Sequence, residues 1–385
     1  MEYHRLGDYI REVNVRNRDL KVTKLVGLTI DKAFIPSVAN VIGTDLSNYK
    51  VIRREQFACS LMQVSRDGKM PVAMFEEDEA IMSPAYPMFE VIDKTVLLPQ
   101  YLMMWFSRSE FDREASYYAV GGVRGSLTWE DFCNMKLPVP DIVRQREIVA
   151  EYETISNRIR LNEQMIEKLE ATAQALYRKM FVDGVDMEHL PEGWRKVKLG
   201  DLCKISSSKR IFESEYREEG VPFYRGKEIT QKRNGEQIKD LIYISKSRYE
   251  EIINNYGKPE PGDILLTAVG TIGNSYMVQD EDFYFKDGNI VWLHDFSIEG
   301  ANAYLYEYMQ SEMFKKVITE ISIGSTQKAI TIQSLLEIKM LIPKLDCFIE
   351  YGNITKSLYN SIQNRKQENS KLTELQSLLL ARMGK

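Results

Sequence analysis

Glu337-Ile338-Lys339 is the stretch of this chain that most resembles part of a catalytic site. A Glu-x-Lys unit joined by Asp263 or Asp287 could close a Mg²⁺ site for phosphodiester hydrolysis. The chain supplies its own control. The sequence "GVRGSLTWEDFCNMKLPVP", ending at Pro140, returns 203 residues later as "GSTQKAITIQSLLEIKMLIP", ending at Pro343. The earlier copy reads Asn134-Met135-Lys136 where the later has Glu337-Ile338-Lys339. Asparagine cannot supply the charge that holds a catalytic divalent ion, so the unit reads as an exposed face beside Ile338 and Leu341. The sequence has no GxxxxGK[ST], no GxGxxG after a strand, no Gly-x-Ser-x-Gly and no Asn/Asp-Pro-Pro-aromatic tetrad for holding a target amine. His4, His189 and His294 are isolated, and Cys59, Cys133, Cys203 and Cys347 form no CxxC pair. The cysteines read as reduced thiols, which suits an intracellular protein. These residues point to a binder without catalytic groups.

The elements that would position a binding site are themselves duplicated. Tyr101-Leu102, Phe111, Gly121, Thr128, Lys168-Leu169 and Met180 recur at Tyr304-Leu305, Phe314, Gly324, Thr331, Lys371-Leu372 and Met383. Near the N-terminus the offset shortens to 193, since Leu6-Gly7-Asp8 matches Leu199-Gly200-Asp201. The second copy therefore carries an insertion of about ten residues, which a surface loop absorbs at little cost. This period is far beyond the roughly 20–50 residues of a solenoid; whole domains are repeated. Each copy has strand-like runs ("KLVGLTI", "GDILLTAV"), a helix-like segment ("LPQYLMMWF", "ANAYLYEYM"), a terminating proline and then a long helix. In the first long helix Ile148, Tyr152, Ile155, Ile159, Asn162, Ile166, Leu169, Ala173, Leu176 and Met180 step by four and three, a heptad seam. In the second the seam runs Tyr351, Thr355, Leu358, Ile362, Arg365, Asn369, Leu372, Gln376, Leu379 and Met383, with Leu375 and Leu378 as further core candidates. Asn162 and Arg365 hold equivalent seam positions.

The expected fold class is α+β. Two tandem mixed α/β recognition domains (1–140 and 194–343) alternate with two long helices (141–182 and 344–385), and "FVDGVDMEHLPEGW" contributes the linker 183–193. The helices are expected to pair antiparallel as a coiled-coil spacer of roughly 60 Å, at 1.5 Å per residue, about a pseudo-twofold axis. Two readers on a rod of fixed length suit a ligand with its own repeat, and duplex DNA is the obvious one. The net charge of −5 excludes coating of nucleic acid by charge alone. Yet residues 1–70 hold 12 Lys and Arg against 8 acids, and residues 194–248 hold 14 against 8. With no apolar leader and no apolar run of about 20 residues, a cytoplasmic protein without membrane contact is expected.

The order of these motifs resembles the specificity subunits of type I restriction-modification enzymes. The resemblance is carried by "LGDY" and "LGDL" opening the halves, "LPEGWRKVKLGDL" at their junction, "PFYRGKEI", "GTIG", "SPAYPMFEV" and the two proline-terminated echoes. "VRQREIV" departs from the family's Glu-Gln-x-x-Ile at Arg144, and "LDCFIEY" lacks that element. The resemblance implies two target recognition domains that each read half of a split DNA site, and helices that set the gap. It also implies partners: two methyltransferase subunits, and restriction subunits. S-adenosylmethionine, ATP and Mg²⁺ would sit on those partners, with no cofactor or metal in this chain. Basic residues for phosphate and polar ones for base edges, on loops able to enter a groove, then nominate the readers. In the first half these are Thr29, Lys32, Arg66, Lys69, Arg124 and Ser126. In the second they are Arg225, Lys227, Lys232, Arg233, Ser325, Thr326, Gln327 and Lys328. The competing readings are a coiled-coil adaptor without base readout and a nuclease subunit.

Overall fold

The computed structural model describes every residue except 1, 38–42, 63, 121–124, 187–188, 237, 239, 325–327 and 385. The chain divides into two compact units. One is Met1–Arg160 with Lys371–Lys385; the other is Leu161–Ser370.

Each unit contains the same antiparallel four-stranded sheet. In the first, the order is Ile10–Glu12, Met88–Val91, Phe57–Cys59, Val72–Met74. In the second it is Lys204–Ser206, Ile290–His294, Ile264–Thr267, Ser275–Met277. A two-stranded ladder lies beside each sheet: Tyr3–Arg5 with Lys136–Pro138, and Arg195–Lys198 with Lys339–Ile342. Two helices follow each sheet, Pro99–Phe106 and Ser109–Ala119 in one unit, Ala301–Gln310 and Glu312–Ile321 in the other. Even a helix cap is repeated. Thr128 and Thr331 each accept the backbone N–H three residues on, from Asp131 and Ser334, and so satisfy an orphan donor of the next short helix. The copies differ between their first and second sheet strands and again between the third and fourth, counted along the chain. The first unit has a hairpin, Val26–Leu28 with Phe34–Pro36, and the pair Lys50–Arg53 with Glu79–Met82. The second has the helices Gly226–Asn234 and Lys246–Tyr256 and a second four-stranded sheet with one parallel pairing, Val221–Tyr224 to Tyr284–Phe285.

Aromatic burial holds both units. Phe57, Phe89, Phe106, Phe111 and Phe132 are almost fully buried in the first, with Phe57 stacked on Phe89 at 5.0 Å. In the second, Phe181 packs edge-on against Tyr304 and Tyr351, both at 5.0 Å. Each such ring stabilises its unit by roughly 1.5–3 kcal/mol on burial.

The long helices span Ile142–Phe181 and Leu345–Arg382. In the unit Leu161–Ser370 they run antiparallel: Asn162 donates to Asn369 Oδ1 (2.8 Å) and Glu368 Oε2 (2.9 Å), and Tyr351 donates to the Ala173 carbonyl (3.3 Å). In the other unit Gln376 donates to Ser156 Oγ at 2.7 Å, and Leu380 and Met383 join the core with Ile148, Val149 and Tyr152. Of the seam expected from the sequence, Ile155, Asn162, Ala173, Tyr351, Thr355, Ile362 and Met383 are buried, and Ile148, Tyr152, Ile159, Ile166, Leu169, Leu176, Leu358, Leu372 and Leu379 are half-buried. Leu375 and Leu378 do not share it; they are 44% and 61% exposed. The strict four-three step through Leu372, Gln376 and Leu379 turns both outward.

Candidate nucleic-acid interface

In the second copy the strand Ile264–Thr267 runs out into the turn Gly270-Thr271-Ile272-Gly273, closed by Gly273 N–H donating to the Thr267 carbonyl at 3.0 Å. Alongside lies a loop whose base is a small hairpin. Ile323 and Ala329 exchange two backbone hydrogen bonds of 2.9 Å, and Ile330 N–H donates to the Ala268 carbonyl at 3.0 Å. Gly324 and Lys328 rise from that base; Ser325, Thr326 and Gln327 lie outside the described residues. Turn, hairpin and neighbouring helices enclose a cleft of about 930 Å³ lined by Arg233, Thr271, Asn274, Gln310, Lys315 and Lys328 among others. Arg233 and Lys328, nominated from distant stretches, therefore meet in one cleft.

The first copy repeats the anchor. Leu127 N–H donates to the Leu61 carbonyl at 2.8 Å, and Leu127 is the 203-residue equivalent of Ile330. Gly125 has φ +69°, and a Cβ there would lie 2.2 Å from Ser65 Oγ, so glycine alone lets this loop close against the turn carrying Arg66. Lys69 pairs with Asp31 at 2.9 Å, which brings the Arg66–Lys69 turn beside the Thr29–Ala33 turn. Three nominated stretches thus converge here. Arg124 lies outside the described residues, while Ser126 is half-buried at the loop's base.

Several nominated cations already have strong partners. The Lys32 side chain is only 9% exposed; its ammonium meets Asp112 at 2.8 Å and also donates to the Phe106 carbonyl. Burial pulls its pKa below the usual lysine value, partly opposed by Asp112. Lys32 is a structural ion pair, not a free phosphate donor. Arg225 grips the buried Glu228 through Nε and Nη2 (3.1 and 2.7 Å). Burial pushes the Glu228 carboxyl up, but the hydrogen bonds from the Arg225 guanidinium and backbone N–H together hold it below its usual range. Lys232 pairs with Glu281 at 2.6 Å, Arg66 with Asp67 at 2.7 Å. Thr29 is tied to the Ala33 backbone, whereas Lys227 and Lys328 are exposed. Arg233 differs: its guanidinium is held by two neutral oxygens, Asn274 Oδ1 at 2.9 Å and Gln310 Oε1, which orient it, and among the described residues it has no ion pair. Thr271, Asn274, Gln310 and Lys315 escaped the sequence reading; the Asn274 that follows the "GTIG" turn was the one available signal.

The acids of the tempting Glu-x-Lys unit have separate partners. Glu337 pairs with Lys198 at 2.6 Å, Asp263 accepts from the Trp292 indole at 2.8 Å, and Asp287 pairs with Arg210 at 2.8 Å. Among the described residues no three His, Cys, Asp or Glu side chains are grouped to hold a metal ion, and no helix is long and apolar enough to cross a membrane.

Residues 191–374 match the type I restriction modification DNA specificity domain. The chain is 27% identical over 230 residues to a Haemophilus influenzae protein named for the type I restriction enzyme specificity subunits, covering 59% of this chain and 57% of that protein. It is 24% identical over 268 residues to the MjaVIII specificity subunit of Methanocaldococcus jannaschii, covering 65% and 61%. These two matches span less than two thirds of either relative. The HindI specificity subunit of Haemophilus influenzae is 19% identical over 378 residues, covering 80% of this chain and 81% of its own length. A type I restriction-modification S subunit from M. genitalium has a similar fold, with a TM-score of 0.64 at 13% identity, covering 100% of this chain and 96% of the other.

Proposed function

We propose that the chain is a specificity subunit of the type I restriction-modification kind, as its match over residues 191–374 and its similarity to proteins named as such subunits support, and that it selects the DNA sequence on which such a complex acts. Each copy of the repeat reads one half of a bipartite site. The observation that carries this is the duplicated reading edge: the same four-stranded sheet with the same loop anchor, Leu127 to Leu61 in one copy and Ile330 to Ala268 in the other. Around this shared frame the two copies differ in their inserted elements, a hairpin in the first and two helices with a second sheet in the second, as two unlike half-sites require. Specificity needs differing polar groups on a constant frame, and groove-facing loops provide them.

The long helices form the antiparallel spacer that fixes the distance between half-sites. Two methyltransferase subunits dock on the assembly and hold S-adenosylmethionine; restriction subunits supply ATP-driven translocation and Mg²⁺-dependent cleavage. On this reading catalysis belongs to the partner subunits and not to this chain. The adaptor reading without base contact has no use for a cleft whose arginine has, among the described residues, only neutral partners.

The test is methylation-sensitive sequencing of DNA from cells expressing this chain with its methyltransferase partners. The expected result is one asymmetric motif of two unlike halves at fixed spacing. Matched four-residue insertions in both helices should widen that spacing by about 6 Å of helix rise. Methylation without any motif would refute the proposal, and an unwidened gap would refute the spacer role.

A further inference from the structure

Arg233 is braced from two sides. Its fork rests on Asn274 and Gln310. Its carbonyl accepts a hydrogen bond from Lys366 Nζ at 2.9 Å, across 133 residues of sequence. That carbonyl lies in the last turn of the helix Gly226–Asn234, where C=O groups have no intrahelical donor. A cation there also favours the negative end of the helix dipole. Gly235 follows as a left-handed cap at φ +74°, and a Cβ on it would lie 3.2 Å from two methylenes of Lys366. The lysine stem thus lies along the cap, with its head on the carbonyl. Lys366 is 17% exposed and pairs at 3.3 Å with Glu170 of the first long helix, while it belongs to the second. Both long helices therefore hold the end of the helix that delivers Arg233.

We propose that Arg233 binds a DNA backbone phosphate and that Lys366, which touches no DNA, is the positioning residue for this contact; the proposal rests on the function argued above. An anion is the fitting ligand. Among the described residues the guanidinium has only neutral partners, in a cleft that also contains the exposed Lys328 and Lys315, the latter paired with Glu312 at 2.6 Å, and its fork suits a phosphate's paired oxygens. A phosphate contact positions the protein and carries no sequence information. The positioning device belongs to the second copy alone: at the 203-residue equivalent of Lys366 the first copy has Glu163.

The experiment measures binding of the full-length chain, assembled with its methyltransferase partners, to a duplex carrying its methylated motif at 50–200 mM salt. Each phosphate contact contributes about 0.9 to the slope of log K against log salt. Arg233→Ala should make the slope shallower by about that amount, or ~3.5-fold in affinity over a fourfold change in salt, with the methylated motif unchanged. Lys366→Met should give the same loss, Lys366→Arg should restore the slope, and the double variant should match either single one. If Lys366→Met does not fold, Lys366→Gln carries the test, with the same shallower slope expected. An unaltered slope in the folded Lys366 variant, or additive losses in the double variant, overturns the positioning role. An unaltered slope in Arg233→Ala overturns the phosphate contact while the motif readout still stands. Absence of any motif in the wild-type complex overturns the functional reading itself.

Discussion

Glu307 offers a quantitative test of how the recognition unit is held to its helices. The carboxylate is 3% exposed, on the helix Ala301–Gln310. Gln174 and Tyr359, from the two long helices, each donate to it. Burial dominates and pushes its pKa up to about 7 from an ordinary 4.5, against the lowering effect of those two donors; Glu170 nearby adds to the rise. A raised acid binds its proton more tightly when folded, so the folded state holds more protons than the unfolded one between the two pKa values. Stability therefore falls as pH rises from about 4.5 to 7 and is level above. The shift corresponds to about 3 kcal/mol, or roughly 6–12 °C in Tm for a unit of this size. Glu307→Gln removes the titration. Urea unfolding of wild type and variant across pH 4.5–8.5 should diverge steadily up to pH 7, the variant gaining relative stability, and run parallel beyond. Curves parallel throughout would show that Glu307 ionises without cost and that the junction is wetter than its burial implies.

Three further outcomes follow from the packing. Asn162→Leu strips Asn369 and Glu368 of a buried donor and should cost about 1–3 kcal/mol in urea unfolding. Gly125→Ala meets both a left-handed backbone and Ser65; a loss of about 1–2 kcal/mol is expected, part of which Ser65→Gly should recover. Leu378→Gln, at an exposed site, should change stability by less than about 0.5 kcal/mol, whereas Ile362→Gln at 6% exposure should cost several-fold more, both read from thermal melts.

The long helices were legible because burial on one stripe writes a period into the sequence. Ile155, Ile362 and their seam neighbours follow that period, and the polar Asn162 stands where it predicts an inward residue. The repeat was legible for the same reason, since Thr128 and Thr331 keep one capping duty in two places. The cleft was only half legible. Residue type singled out Arg233 and Lys328, but the same rule nominated Arg225, Lys232 and Lys32, whose charges are matched by Glu228, Glu281 and Asp112. Glu228 sits three residues on and was open to a local reading, whereas Glu281 and Asp112 sit 49 and 80 residues away, where only folding reveals the match. Arg233's neutral holders lie 41 and 77 residues off and leave no local trace. Leu375 and Leu378 show the opposite error: hydrophobic type suggested burial where the helical phase forbids it.

The bond from Asn162 to Asn369 also bears on the ancestry implied by the duplication. Subtracting 203 from Asn369 gives Ile166, so a pair made of two identical first halves would set Asn162 against isoleucine. Its amide would then be buried with no acceptor across the seam, a penalty of about 1–3 kcal/mol that falls on each of the two symmetric sites. Two identical second halves would set Arg365 against Asn369 instead, placing a cation in the seam at both sites. The first half is therefore a poorer mate for itself than for the second, and this one layer favours the pairing of unlike halves.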